Sequence, residues 1–129
     1  MGCVKRMLLY SACLFVLSGA LTAAPATQPQ MQSEVVHLLR FVEESGCQFN
    51  RNNTWHNGKD ARLHLEMKYD YLVRKKLIDK TEDFIERAAS KSSLSGRDYQ
   101  IRCQDGKTIS SARWLSGELQ RHRKSSNRK

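Results

Sequence analysis

The side chains best equipped for chemistry fall in two short stretches. Arg51, Asn52, His56, Asp60, His64 and Lys68 follow one another closely, and Ser92, Ser93 and Ser95 sit in the polar run 90–96 (Ser-Lys-Ser-Ser-Leu-Ser-Gly). An arginine offers a planar fork to a carboxylate or phosphate, a lysine offers a point charge, and Asn, Ser and neutral His offer uncharged hydrogen-bonding groups. That set suits a pocket for a small anionic or polar ligand. It suits a structural task as well, and that is the commoner one. Arg51 could bond backbone carbonyls, Asn52 could hold a turn and His64 could pack beside Leu65, because buried polar groups must be paired whatever the function.

Other chemistries are less well served. His56, Asp60 and His64 are spaced to attempt a metal site. Such a centre needs three or four convergent ligands, and the chain has no His-Glu-x-x-His and no spare cysteine. No metal or other cofactor is expected. A hydrolase would need one of the three serines as nucleophile and His56 or His64 as base, but no Gly-x-Ser-x-Gly elbow is present. A serine-histidine hydrolase stands as the alternative to a non-catalytic binding module.

These residues must be positioned by the elements around them. Ser33 is a candidate N-cap for a first helix, with Glu34 in its first turn, Val35, Leu38, Leu39 and Val42 at helical spacing, and Gly46 ending it. Phe49 and Trp55 flank Asn52-Asn53, a pair that tolerates left-handed turn conformations, so a short hairpin is expected there. Asn57 caps a second helix to about Leu77. Ala61, Leu65, Tyr69 and Leu72 form its buried side, with Met67 a candidate addition, and Asp60, His64 and Lys68 line up four apart on an adjoining stripe. Thr81 caps a third helix with Phe84, Ile85, Ala88 and Ala89 facing in. Tyr99, Ile101 and Cys103 alternate with Gln100 and Arg102 as in a strand, and Asp105-Gly106 turns it back through 107–109. Ser110 or Ser111 caps a last helix with Trp114, Leu115 and Leu119 inward.

Cysteines and charge complete the frame. Residues 1–24 carry Lys5 and Arg6, an apolar run from Met7 to Leu21 and small residues at their end, the layout of a cleaved secretory signal. Export would remove Cys3 and Cys13 and leave Cys47 and Cys103 in an oxidising compartment, where a lone pair bonds. Residues 25–32 are expected to be a flexible leader, 33–120 one globular domain and 121–129 a disordered basic tail. The net charge of +9 is therefore misleading, because without the signal segment's Lys5 and Arg6 and the tail's five basic residues the body is nearly balanced. A balanced body argues against a nucleic-acid binder, and no stretch of the mature chain is apolar enough to cross a membrane. The expected fold is α+β and mainly helical. It has about four helices, a small antiparallel sheet or hairpin with helices on one side, and one Cys47–Cys103 disulfide.

Several residues also match a known pattern: Phe49-x-Arg51-Asn52, His56, Asp60-Ala61, His64-Leu65, Lys68, Glu82, Phe84-Ile85, Ala89-Ser90, and Ser92-Ser93-x-Ser95-Gly96-x-x-Tyr99-x-Ile101. Over residues 45–101 the chain resembles a family of small exported proteobacterial proteins of unknown function. It departs at Asn53, where that family's turn often carries glycine. The resemblance implies a periplasmic location and supplies no activity. The expectation is an exported binding or interaction module whose partner is a periplasmic protein or a small anionic or polar ligand. An envelope-associated structural role for the basic tail is a further alternative.

Overall fold

Helix α1 (Gln28–Glu44) is the post on which the rest is hung. In the computed structural model, which describes residues 28–129, its apolar stripe is Met31, Val35, Leu38, Leu39 and Val42, all buried. The helix occupies 28–32, where the sequence suggests a flexible leader capped at Ser33. The physical reason is Met31: only 2 % exposed, it extends the stripe by one turn beyond Val35, and Pro29 is tolerated so near a helix start. Residues 1–27, on which the expected signal segment and the start of the expected leader fall, lie outside the described residues.

The chain then forms strands β1 (Gln48–Arg51) and β2 (Thr54–His56), helices α2 (Gly58–Arg74) and α3 (Thr81–Ala88), strands β3 (Gln100–Arg102) and β4 (Thr108–Ser110), and helix α4 (Ser111–Ser126). The strands make one antiparallel sheet in the order β2-β1-β3-β4. The fold is thus α+β and mainly helical, with four helices and a small antiparallel sheet. Cys47, just before β1, is bonded to Cys103, just after β3, with the alpha carbons 4.2 Å apart.

Both expected turns form. Asn52 and Asn53 have φ of 53° and 65°, so Asn53 performs in the β1–β2 turn what the absent glycine would have done. Gly106, at φ 72°, turns β3 into β4. Asn57 caps α2 by accepting a 2.9 Å bond from the Asp60 amide. Helix α2 ends at Arg74, short of Leu77, as Lys76 enters the left-handed region and the Leu77 amide reaches back to the Leu72 carbonyl. Met67 is 66 % exposed and takes no part in the core. Gly58 carries a constraint the sequence does not advertise. A Cβ there would lie 2.6 Å from the Val42 carbonyl oxygen and 2.8 Å from that of Glu43, so α2 begins in direct contact with the end of α1.

Residues 121–129 are not the disordered tail expected from their composition. Helix α4 runs to Ser126, and the Arg123 guanidinium grips Glu34 of α1 through two 2.8 Å bonds while its Nη1 bonds Glu82 of α3 at 2.6 Å. The Thr81 hydroxyl donates to the same Glu34 carboxylate, so Thr81 is the first residue of α3 rather than its cap. Asp83 does the capping, accepting from the amides of Asp79 and Lys80. Glu34 is 4 % exposed, and the Arg123 hydrogen bonds hold its carboxyl down at about 2 against the opposing effect of burial. Nearby, Glu118 accepts from His37 at 2.7 Å and from Arg121 at 2.5 Å.

Candidate functional site

Strand alternation puts Phe49 and Arg51 on one face of β1. Phe49 pairs with His56 and with Ile101, which carries that face across to β2 and β3. Ile101 is fully buried, so this is the side that meets the helices. Arg51, His56 and Tyr99 consequently stand along one edge of the helix-facing surface. Helix α2 starts immediately after β2 and lays Asp60, His64 and Lys68 beside them, one turn apart.

The serine loop closes the other side. The Ser92 amide bonds the Arg97 carbonyl and the Gly96 amide bonds that of Ser92, while the buried Ser92 Oγ accepts from the amides of Leu94 and Ser95. Ser95 Oγ donates to Asn52 Oδ1 at 2.5 Å, joining the loop to the β1–β2 turn. The disulfide and this bond together hold the two chemistry-bearing stretches side by side.

Two adjacent clefts result. The inner one, about 70 Å³, is lined by Phe49, Asn50, Arg51, His56, Asp60, Ala61, His64, Leu65, Tyr99, Gln100 and Ser111. The outer one, about 370 Å³, is lined by Arg51, Asn52, His64, Lys68, Ser92, Ser93, Leu94 and Tyr99. Arg51, His64 and Tyr99 belong to both. Every site residue expected from the sequence is in one lining or the other except Ser95, which supports the rim through Asn52.

Tyr99 is the hub. Its hydroxyl lies 3.2 Å from His64 Nε2 and 3.4 Å from Lys68 Nζ, and Lys68 also donates to the Lys91 carbonyl at 3.2 Å. A lysine ammonium can only donate, so the Tyr99 oxygen accepts from it. With the ring hydrogen on His64 Nδ1, the Tyr99 hydroxyl donates to Nε2; with it on Nε2, the Tyr99 oxygen accepts. The electrostatics fix the charge of the ring. Burial, helped by the charges of Arg51, Lys68 and His56, lowers His64 to about 4, so the ring is neutral near pH 7. Burial and Arg51 also lower Lys68 below the usual lysine range. Burial raises Tyr99, which stays protonated, with Arg51 opposing the rise. Among the described residues, no carboxylate forms an ion pair with Arg51 or Lys68. The arrangement concentrates donors and positive charge on a half-enclosed space.

The serine chemistry is differently disposed. Ser92 Oγ and Ser95 Oγ are engaged in building the loop. Among the described residues no serine hydroxyl is hydrogen-bonded to a histidine ring, Ser125 and Ser126 donating only to the backbone carbonyl of His122, and no cluster of three His, Cys, Asp or Glu side chains is arranged to hold a metal ion. No helix of the described residues is long and apolar enough to cross a membrane.

Sequence reasoning did not bring Tyr99 to the centre of the site, nor Phe49 and Ala61 to its floor. Strand alternation was the available signal for Tyr99, since it shares a face with Ile101 and so with whatever β1 presents beside it.

A family model described as a family of unknown function (DUF5329) matches residues 29–123, from the first turn of α1 to Arg123. No curated protein and no solved structure matches the chain.

Proposed function

The chain belongs to that family of unknown function, whose description carries no activity, and on the geometry of the cleft we propose that it is an exported, non-catalytic binding module for a small anionic or polar ligand. The observation that carries this reading is that His64 and Lys68 meet at the Tyr99 hydroxyl in a cleft that Arg51 also lines, with no carboxylate paired to either cation. A desolvated cation without a counterion is unfavourable, and here it pushes Lys68 toward its neutral form. An anion seated between Arg51 and Lys68 removes that penalty and gains charge-assisted bonds at the same time. The neutral groups of Asn52, His64, Ser93 and Tyr99 then supply directional contacts without adding charge.

Export to the periplasm of a proteobacterial cell is part of the proposal. The signal-like pattern of residues 1–24, the resemblance over 45–101 and a disulfide suited to an oxidising compartment support it. An envelope-tethering tail has less to recommend it, since Arg121 and Arg123 are engaged with Glu118, Glu34 and Glu82.

The test is thermal unfolding of the oxidised chain with phosphate, sulfate, carboxylates, sugars, nucleotides and divalent metals, repeated for Arg51→Ala and His64→Ala. An anion at 100 times its dissociation constant should stabilise the native chain by about 2.7 kcal/mol. It should leave folded Arg51→Ala unshifted. If every anion leaves the native chain unmoved while both variants are themselves destabilised, these residues serve architecture and the proposal fails.

A further inference from the structure

The two clefts differ in character, and the difference bears on what the ligand must look like. The outer cleft is bordered by Lys68, Ser92, Ser93 and Asn52. The inner one has Phe49, Ala61 and Leu65 as its floor. At about 70 Å³ it is the smaller of the two and suits a group of one or two carbon atoms. Arg51 and Tyr99 stand where the two compartments meet. A ligand that used the whole site would carry an anionic group and a very small apolar group a few atoms apart.

Building on the anion-binding reading, we infer that the site takes the C-terminal end of a short peptide whose last residue is small and aliphatic, with the terminal carboxylate between Arg51 and Lys68 and the terminal side chain on the Phe49–Ala61–Leu65 floor. A carboxylate matches the planar guanidinium fork. It is a monoanion, which matters because Asp60 also lines the inner cleft and opposes a dianion more strongly. Asp60 supplies an acceptor that a bare anion would leave unused and that a peptide's amide hydrogen satisfies.

The experiment is calorimetric titration of the oxidised chain with four probes: acetyl-Ala-Ala acid, acetyl-Ala-Gly acid, acetyl-Ala-Ala amide and inorganic phosphate. Burying the terminal methyl makes the first about fourfold tighter than the second. Losing the charge makes the amide at least about tenfold weaker than the acid. In Ala61→Leu, which fills the floor, the preference for the Ala-ended over the Gly-ended acid disappears. In the unaltered chain the Ala61 methyl resonance moves on adding the Ala-ended acid and stays in place with phosphate, a readout that does not depend on the variant folding. Equal affinity for the Ala-ended and Gly-ended acids overturns the inference, as does phosphate binding as tightly as the peptide acid; in both cases the anion site itself survives. If none of the four probes binds, the anion-binding reading falls with it.

Discussion

Replacing Arg123 with methionine should unfold this chain far more readily than its near-terminal position suggests. The guanidinium makes two 2.8 Å bonds to Glu34, whose side chain is 5 % exposed. Charge-assisted bonds of this kind contribute about 1.5 kcal/mol each, or about 3 kcal/mol together. The bond to the half-exposed Glu82 adds at most about 1 kcal/mol. The same bonds, with smaller help from Thr81 and Gln30, move the Glu34 carboxyl from 4.5 to about 2 on folding, which linkage also puts at about 3 kcal/mol. Because the folded-state value is depressed, that contribution is complete above about pH 4.5 and is lost as pH falls toward 2. Urea unfolding followed by tryptophan fluorescence should therefore show Arg123→Met destabilised by about 3 kcal/mol at pH 7, with the gap from the native chain narrowing in acid. Adding Glu34→Gln removes the stranded charge and leaves an oxygen for the Thr81 hydroxyl, so the double variant should be more stable than the single one. Native stability of Arg123→Met at pH 7 would refute the reasoning and return residues 121–129 to the status of a frayed end.

Three further outcomes are expected. Gly58→Ala should lower stability by about 2 kcal/mol, seen as a reduced thermal midpoint, because its Cβ meets two backbone oxygens of α1 that cannot swing away; an unchanged midpoint would mean that the helices are not seated so closely. Reducing Cys47–Cys103, which closes a loop of sequence separation 56, should cost about 4 kcal/mol on the chain-entropy model, measured by urea unfolding with and without dithiothreitol. His64 has a folded-state value of about 4 against 6.5, so the unfolded chain takes up the proton first. Stability should be full above about pH 6.5 and fall by up to about 3 kcal/mol as the pH drops to 4. His64→Gln should flatten that slope to the part His122 contributes, whose value burial also lowers; an identical slope in the variant would remove His64 from the account.

The parts of the fold that were legible in the sequence are those governed by local rules. Asn57 as a cap, Asn52-Asn53 and Asp105-Gly106 as turns, and the inward face of α3 each depend on residues a few positions apart. The disulfide was legible because only two cysteines remain once Cys3 and Cys13 are set aside with the expected signal segment. Arg123 was not, because its partner lies 89 residues away and nothing in a run of basic residues marks one of them as destined for a buried carboxylate. Gly58 was hidden for a similar reason, since what it avoids is the backbone of another helix. Met67 shows the converse. It lies near a plausible apolar stripe, yet the site and the serine loop occupy the neighbouring face and leave it in solvent. The candidate site was half legible. Its polar residues cluster in sequence, but Tyr99, which joins them, arrives by strand pairing.

That pairing gives the disulfide a second consequence. Strands β1 and β3 are four and three residues long, and a slip of a single residue reverses the face on which every side chain emerges. Cys47 and Cys103 sit at one end of this short ladder, Arg51 and Tyr99 just beyond the other. The covalent bond thus acts as a datum from which the cleft is measured. A chain in which the sulfurs have not yet joined could be largely helical and still lack the cleft, so on the binding role proposed above the moment of oxidation, rather than the moment of collapse, would be when the molecule becomes competent.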